Sequence, residues 1–146
     1  MSGPRSIVPA SVVTAIAVLT TAAMAACPNP VRPDATEQSI RQLMAGTWYS
    51  QGPGPNGAVE HMYQSFSPIG NFEYHDETCG NAPGIPCTKG YGQGVWMGTR
   101  QPDGTIYIRI QFSDLRRQDV CTGFGAYFTD PNTMHFMNGG GARRVQ

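Results

Sequence analysis

The hydrophobic pattern of the chain changes its period once. Before Gly46, the apolar residues Ile40, Leu43 and Met44 fall at the i, i+3, i+4 spacing of one helical face. This predicts a helix of about two turns, with Thr36 as a candidate N-cap and Gly46 at its end. From Gly46 onward the period is two. Strands are predicted at 46–50, 58–66, 72–75, 91–99, 105–112, 120–128, 133–137 and 142–146. The clearest alternation puts Ile106, Ile108, Ile110 and Phe112 on one face and Thr105, Tyr107, Arg109 and Gln111 on the other. Turn chemistry separates the strands: the run 52–57, Pro68-Ile69-Gly70-Asn71, Gln101-Pro102-Asp103-Gly104, Asp130-Pro131-Asn132 and Gly139-Gly140-Gly141. The segment 76–86 reads as a loop.

Short strands joined mostly by tight turns, with no crossover helix, pair antiparallel with their neighbours. An open meander of about eight strands would leave two bare edges, which closure removes. The expected fold is therefore all-β, an antiparallel up-and-down barrel of about eight short strands, with a two-sheet sandwich as the alternative. An eight-stranded barrel has room inside for side chains or one small ligand.

Upstream of the helix the chain has two further parts. Residues 1–25 carry one basic residue, Arg5, then an apolar run over 11–23, then Ala23-Met24-Ala25. This is the layout of a cleavable secretory signal peptide, and the run is short for a membrane span. Residues 26–36 form a Pro-rich arm, and 37–146 the barrel domain. Met24-Ala25-Ala26-Cys27 also approximates a lipobox, in which Cys27 would be lipidated and hold the protein on a membrane. The cysteine count opposes that reading. Cys27, Cys79, Cys87 and Cys121 all follow the cleavage signal, and four cysteines in an exported chain imply two disulfides with three possible connectivities. Cys79–Cys87 within one loop and Cys27–Cys121 tying arm to barrel is the expected pairing. Lipidation would leave three cysteines and an odd thiol. The expected location is periplasmic or secreted.

Composition narrows the partners. Ten Lys and Arg balance ten Asp and Glu, so the concentrated positive charge that nucleic acid demands is absent. Only 14% of residues are charged, against a usual ~25%, while 18 glycines and 12 prolines suit a turn-rich β protein.

The segment Leu43-Met44-Ala45-Gly46-Thr47-Trp48 resembles the Gly-x-Trp opening of bacterial lipocalin-like barrels, and the similarity runs from about Ile40 to Val145. The resemblance implies a short helix followed by a strand whose Trp48 plugs the barrel floor. It also implies an arginine on or just after the last strand, packed across that indole; Arg143 and Arg144 are the candidates. Gly46, Trp48, Arg143 and Arg144 are then structural residues.

Catalytic and metal patterns are weak. The pairs His61-Met62 and Met134-His135 put their members on opposite faces of a strand, so neither pair chelates from one side. No CxxC spacing is present for zinc. Glu73 and His75 share a face and would form a dyad if that face lined the interior; Phe72 and Tyr74 are the better buried pair. Gly90-Tyr91-Gly92-Gln93-Gly94 lacks the following helix of a phosphate loop. No catalytic residue, metal or cofactor is expected. The remaining candidate is an apolar pocket lined by Phe72, Tyr74, Trp96, Ile108, Ile110, Phe124, Met134 and Phe136. It would hold a small hydrophobic molecule at the barrel mouth. Glycines 92, 94, 98, 123 and 125 would either leave space there or permit strong curvature. The alternatives are a filled barrel that binds a protein, for example a protease inhibitor acting through its arm or outer surface, and a small enzyme using Glu73 and His75.

Overall fold

The structure, a computed structural model, describes residues 27–80 and 82–145. The signal peptide expected over residues 1–25 lies outside the described residues. A 3₁₀ turn (Pro33–Ala35) precedes α1 (Gln38–Met44). Eight strands follow: β1 (Gly46–Pro53), β2 (Val59–Phe66), β3 (Asn71–Cys79), β4 (Thr88–Arg100), β5 (Ile106–Asp114), β6 (Val120–Asp130), β7 (Thr133–Phe136) and β8 (Gly141–Arg144). Each strand pairs antiparallel with the next, and β8 closes on β1. The expected up-and-down barrel is the observed one.

Period two holds around the barrel except for one irregularity between Phe128 and Asp130 on β6, and the ladder carries the inward face from strand to strand. Trp48 lies opposite Gln64 and Arg144, Tyr74 opposite Gly92, Trp96 opposite Ile110, and Ile108 opposite Phe124. Inside, Trp48, Phe66, Phe72, Trp96, Ile106, Ile108, Ile110 and Met134 are fully buried. Outside stand Thr47, Ser65, Glu73, Gln93, Arg109 and Gln111.

The region 76–86 departs from expectation. β3 continues to Cys79 and β4 begins at Thr88, so the loop shrinks to the residues between them. Asp76, Glu77 and Thr78 lack strand-like hydrophobicity, but they pair with Gly90, Lys89 and Thr88. The ladder and the adjoining Cys79–Cys87 disulfide hold them extended.

One end of the barrel is a sealed floor. The helix α1 runs beneath it, burying Ile40 and Met44. Gly98 makes room: a Cβ there would stand 2.6 Å from the Ile40 Cγ2 methyl. Gly46 turns the chain from helix into strand at φ +125°, a conformation that L side chains resist. The last carbonyls of a helix lack partners within it. Here the Trp48 Nε1–H donates to the Met44 carbonyl at 2.8 Å. The Arg144 guanidinium donates to the carbonyls of Leu43, Ala45 and Pro131 and lies 4.5 Å from the Trp48 ring centroid. A cation at the negative end of the helix dipole is itself stabilising. Of the two candidate arginines, Arg144 therefore takes the floor position. Arg143 faces out and covers Tyr49 at 5.4 Å.

Thr36 is not the N-cap of α1. Glu37 occupies that position without a side-chain cap. The Thr36 hydroxyl is buried and accepts from the Gly98 N–H at 3.1 Å. A buried strand donor has claimed it from the helix.

The arm lies along the outer wall. Cys27 is bonded to Cys121 on β6, as expected. The Val31 N–H donates to Gln111 Oε1 at 3.1 Å, and Arg109 donates to the Asn29 carbonyl. Pro33 packs where a Gly70 side chain would stand. Arg41 donates to the carbonyls of Thr36 and Pro33, fastening the arm to α1.

Candidate functional site

The end opposite α1 is the mouth, and its wall is uneven. β2, β3 and β4 have 8, 9 and 13 residues, while β7 and β8 have four each. The wall is low over the β7–β8 hairpin, and there the interior comes closest to solvent.

The eight expected pocket residues divide into two groups. Phe72, Trp96, Ile108, Ile110 and Met134 are buried in the main core. They form the foundation of the site and offer a ligand no open surface. Tyr74 is buried too, but its hydroxyl points to the mouth, where it meets Asp114. Phe124 and Phe136 are only partly buried. Their rings meet edge to face at 5.3 Å and 77°. They stand on the inward faces of β6 and β7, beside the low wall.

Two inward-facing glycines that could have left a cavity do not. A Cβ on Gly92 would sit 2.3 Å from the Tyr74 ring, and one on Gly98 would meet Ile40. Gly94 faces a different constraint, because the Gln111 carbonyl lies 1.9 Å from its Cβ position. Gly123 and Gly125 turn outward, covered by Tyr107 and Met137. The space beside these glycines is therefore filled. A groove of about 370 Å³ runs over the β1–β8 seam beside Tyr49, Gln51, His135 and Arg143, on the outer wall.

One polar cluster sits on the mouth. The Tyr74 hydroxyl donates to Asp114 Oδ2 at 2.8 Å. Asp114 Oδ1 accepts from the backbone N–H groups of Arg116 (2.9 Å) and Arg117 (2.7 Å). The Arg117 guanidinium returns to Asp114 Oδ2 at 2.8 Å and lies 5.3 Å from the Phe112 ring centroid. The Asp114 carboxyl is held well below the usual carboxylate range, first by Arg117 and then by Tyr74. Burial, then Asp114, pushes the Tyr74 phenol up. A carboxylate whose folded pKa is depressed contributes stability above its unfolded pKa of ~3.9, and the contribution is lost as pH falls through the folded value. The urea midpoint is thus expected to drop below about pH 4, and less steeply in Asp114→Asn than in the parent. Equal slopes for the two proteins would show that this cluster contributes nothing to folding.

The remaining candidates lie on the outer wall. Glu73 and His75 are exposed there, and His75 stacks on Tyr63 with centroids 4.6 Å apart. His61 accepts or donates a hydrogen bond at 2.8 Å with the Tyr49 hydroxyl. His135 stacks on Tyr127 at 4.9 Å. Each histidine is thus paired with a tyrosine. Glu77, Cys79 and Cys87 approach one another closely enough to suggest a metal, but both sulfurs are spent in a disulfide. Sequence reading had not singled out Asp114 and Arg117, whose link to Tyr74 spans 40 positions. The signal was present locally, as an aspartate opening the turn Asp114-Leu115-Arg116-Arg117.

Comparison with protein-family models, with curated proteins and with solved structures finds no match to this chain.

Proposed function

We propose that the protein is a lipocalin-like carrier that holds a small apolar molecule at the barrel mouth and performs no chemistry on it. The observation that supports this most directly is the Phe124–Phe136 pair, two inward aromatic rings left partly open above an otherwise filled core. Aromatic side chains dominate core and interface energetics through the area they bury, so rings left uncovered beside an opening suit an apolar guest. The Tyr74–Asp114–Arg117 cluster at the same end of the barrel would offer polar partners to such a guest.

Two disulfides favour an oxidising, extracellular-type environment for the folded protein. Export by an N-terminal leader accounts for this. Cys27 has no valence left for a lipid thioether while it is bonded to Cys121, which favours a freely diffusing carrier over a lipid-anchored one. Inhibition by insertion of the arm is disfavoured for a related reason: the arm would first have to leave the wall to which Gln111, Arg109 and Cys121 fasten it.

Titration with a fluorescent apolar probe such as N-phenyl-1-naphthylamine is expected to show one saturable site. Phe136→Asp removes an apolar face and adds a charge, and is expected to weaken binding at least ~10-fold, the equivalent of ~1.4 kcal/mol. Unsaturable binding, or equal affinity in the variant, would sink the mouth as the site. Native mass spectrometry of protein from an exporting host should show excess mass that disappears on denaturation.

A further inference from the structure

We propose that the barrel takes up an extended peptide segment of a partner protein, which pairs as an added antiparallel strand along a bare edge of β6. Strand β6 runs from Val120 at the mouth to Asp130 at the floor. On one side it pairs with β5, from Val120 opposite Phe112 to Ala126 opposite Ile106. On the other side β7 covers only Ala126 to Asp130, and the Met137 N–H adds one bond to the Gly125 carbonyl. Among the described residues, nothing pairs with 120–124 on that side. Successive strand residues turn their N–H and C=O groups to alternate sides. Gly125 turns its carbonyl toward β7, so Gly123 and Cys121 turn theirs the same way, into open space.

The gap extends to β1. Strand β8 pairs with β1 only at Trp48 and Tyr49. The Val145 N–H donates to the Thr47 carbonyl, so Gln51, four positions on, also turns its backbone groups to the β8 side, past the end of the pairing. Only β7 and β8 stand between β6 and β1, which makes the notch above their hairpin two strands wide. Its two edges differ. The β1 edge ends in Pro53, which has no N–H to offer, a common guard on exposed edges. The β6 edge, Val120-Cys121-Thr122-Gly123-Phe124, holds neither proline nor charge. Thr122 lies opposite Ile110 on the inward face, yet it is exposed, because no wall stands beside it. The arm leaves this edge open. From Cys121 it passes to the β5 side, where Asn29 meets Arg109 and Val31 meets Gln111.

These features select a polypeptide strand as the occupant. N–H and C=O groups repeating along an edge are matched in period by another backbone. An added strand gains main-chain bonds from the edge and specificity from its alternate side chains. A strand continuing the line of β7 runs antiparallel to β6. It turns every second side chain inward, toward the partly open rings of Phe124 and Phe136, so its inward positions are apolar. A folded second copy fits less well. Pairing through its own β6 edge would bring β5 and β4 in behind, against a notch that β1 closes after two strands. The partner is therefore a free, extended segment with apolar residues at alternate positions. The inference goes beyond the carrier reading and does not need it, because edge pairing uses backbone groups whether or not a small molecule binds.

The test uses an acetylated, amidated heptapeptide of the order lysine, valine, threonine, valine, threonine, valine, lysine. In antiparallel pairing with the valines inward, its threonine N–H groups face β6 and its valine N–H groups face away. Calorimetry is expected to show a one-to-one complex. N-methylation of both threonines is expected to weaken it at least ~10-fold, and N-methylation of the valines by less than about twofold. In the complex, amide exchange is expected to slow at Cys121 and Gly123 and to stay unchanged at Gln51 on the opposite edge. The proposal is overturned if the peptide does not bind at ~1 mM, if the two N-methylated forms bind alike, or if Gln51 is protected in place of Gly123. It is equally overturned if the free protein sediments as a dimer with Gly123 already protected, the result expected of a second copy on this edge. An apolar probe that fails to saturate alters none of these readouts, so the carrier reading and this one fail separately.

Discussion

Trp48→Ala is expected to cost about 3–5 kcal/mol of folding stability, the range for truncating a large buried aromatic. Trp48 is fully buried, meets Phe128 edge-on at 5.7 Å, and carries Arg144 on its face. Its Nε1–H also satisfies a terminal carbonyl of α1. Against a typical total of about 5–15 kcal/mol, the loss is a large share of what holds the chain folded. A thermal midpoint lower by roughly 10–20 °C is the expected reading. Arg144→Ala should act through the same unit, because it removes the donors to Leu43, Ala45 and Pro131. The two costs should then sum to more than that of the double variant. Arg144→Lys should not rescue, since one ammonium cannot reproduce the planar fork that serves carbonyls on two segments. A Trp48→Ala cost under about 1 kcal/mol would mean that the floor repacks, and that the helix plug does not depend on the indole.

Removing the Cys27–Cys121 bridge is expected to have the second large effect. The bridge spans 94 positions, and closing a loop of that length restricts the unfolded chain by about 4–5 kcal/mol in the chain-entropy account. Cys79–Cys87 spans 8 positions, for which the same account gives about half as much. Cys27→Ser with Cys121→Ser should therefore lower the denaturant midpoint well beyond Cys79→Ser with Cys87→Ser. It should also free the arm, so that limited proteolysis cuts before Thr36 while the barrel survives. If the two pairs of substitutions cost the same, loop length is not what governs stability here. If the arm stays protected, the Val31–Gln111 and Arg109–Asn29 contacts alone are holding it.

Much of the fold was legible because it depends on local rules. The run 105–112 alternates so cleanly that its faces could be assigned from the residue types alone, and the inward set Ile106, Ile108, Ile110 and Phe112 is the buried one. The floor was implied only by the resemblance of Gly46-Thr47-Trp48, after a short apolar helix, to the opening of lipocalin-like barrels. Cysteine parity predicted two bridges, and the loop-like spacing of Cys79 and Cys87 suggested their partnership. The candidate site was legible only in part. Phe124 and Phe136 were named among eight residues of one apolar set, but nothing in their types separates them from Phe72 or Trp96. What sets them apart is the height of the wall in front of them. The Asp114 cluster escaped because its value lies in Tyr74, which is distant in sequence.

The sequence by itself determined which residues alternate, where the chain turns, that the strands must pair with their neighbours, and that the cysteines can pair off completely. Those features depend on side-chain period, backbone preference and composition, each expressed within a few residues. The tertiary structure alone decided which of Arg143 and Arg144 covers Trp48, because adjacent strand residues face opposite ways and only the register of β8 on β1 chooses between them. It also decided that Thr36 serves Gly98 rather than its own helix, and that Tyr74 and Ile40 fill the space above Gly92 and Gly98. These are contacts between segments far apart in the chain. Close packing leaves each such place to whichever side chain the closed barrel brings there.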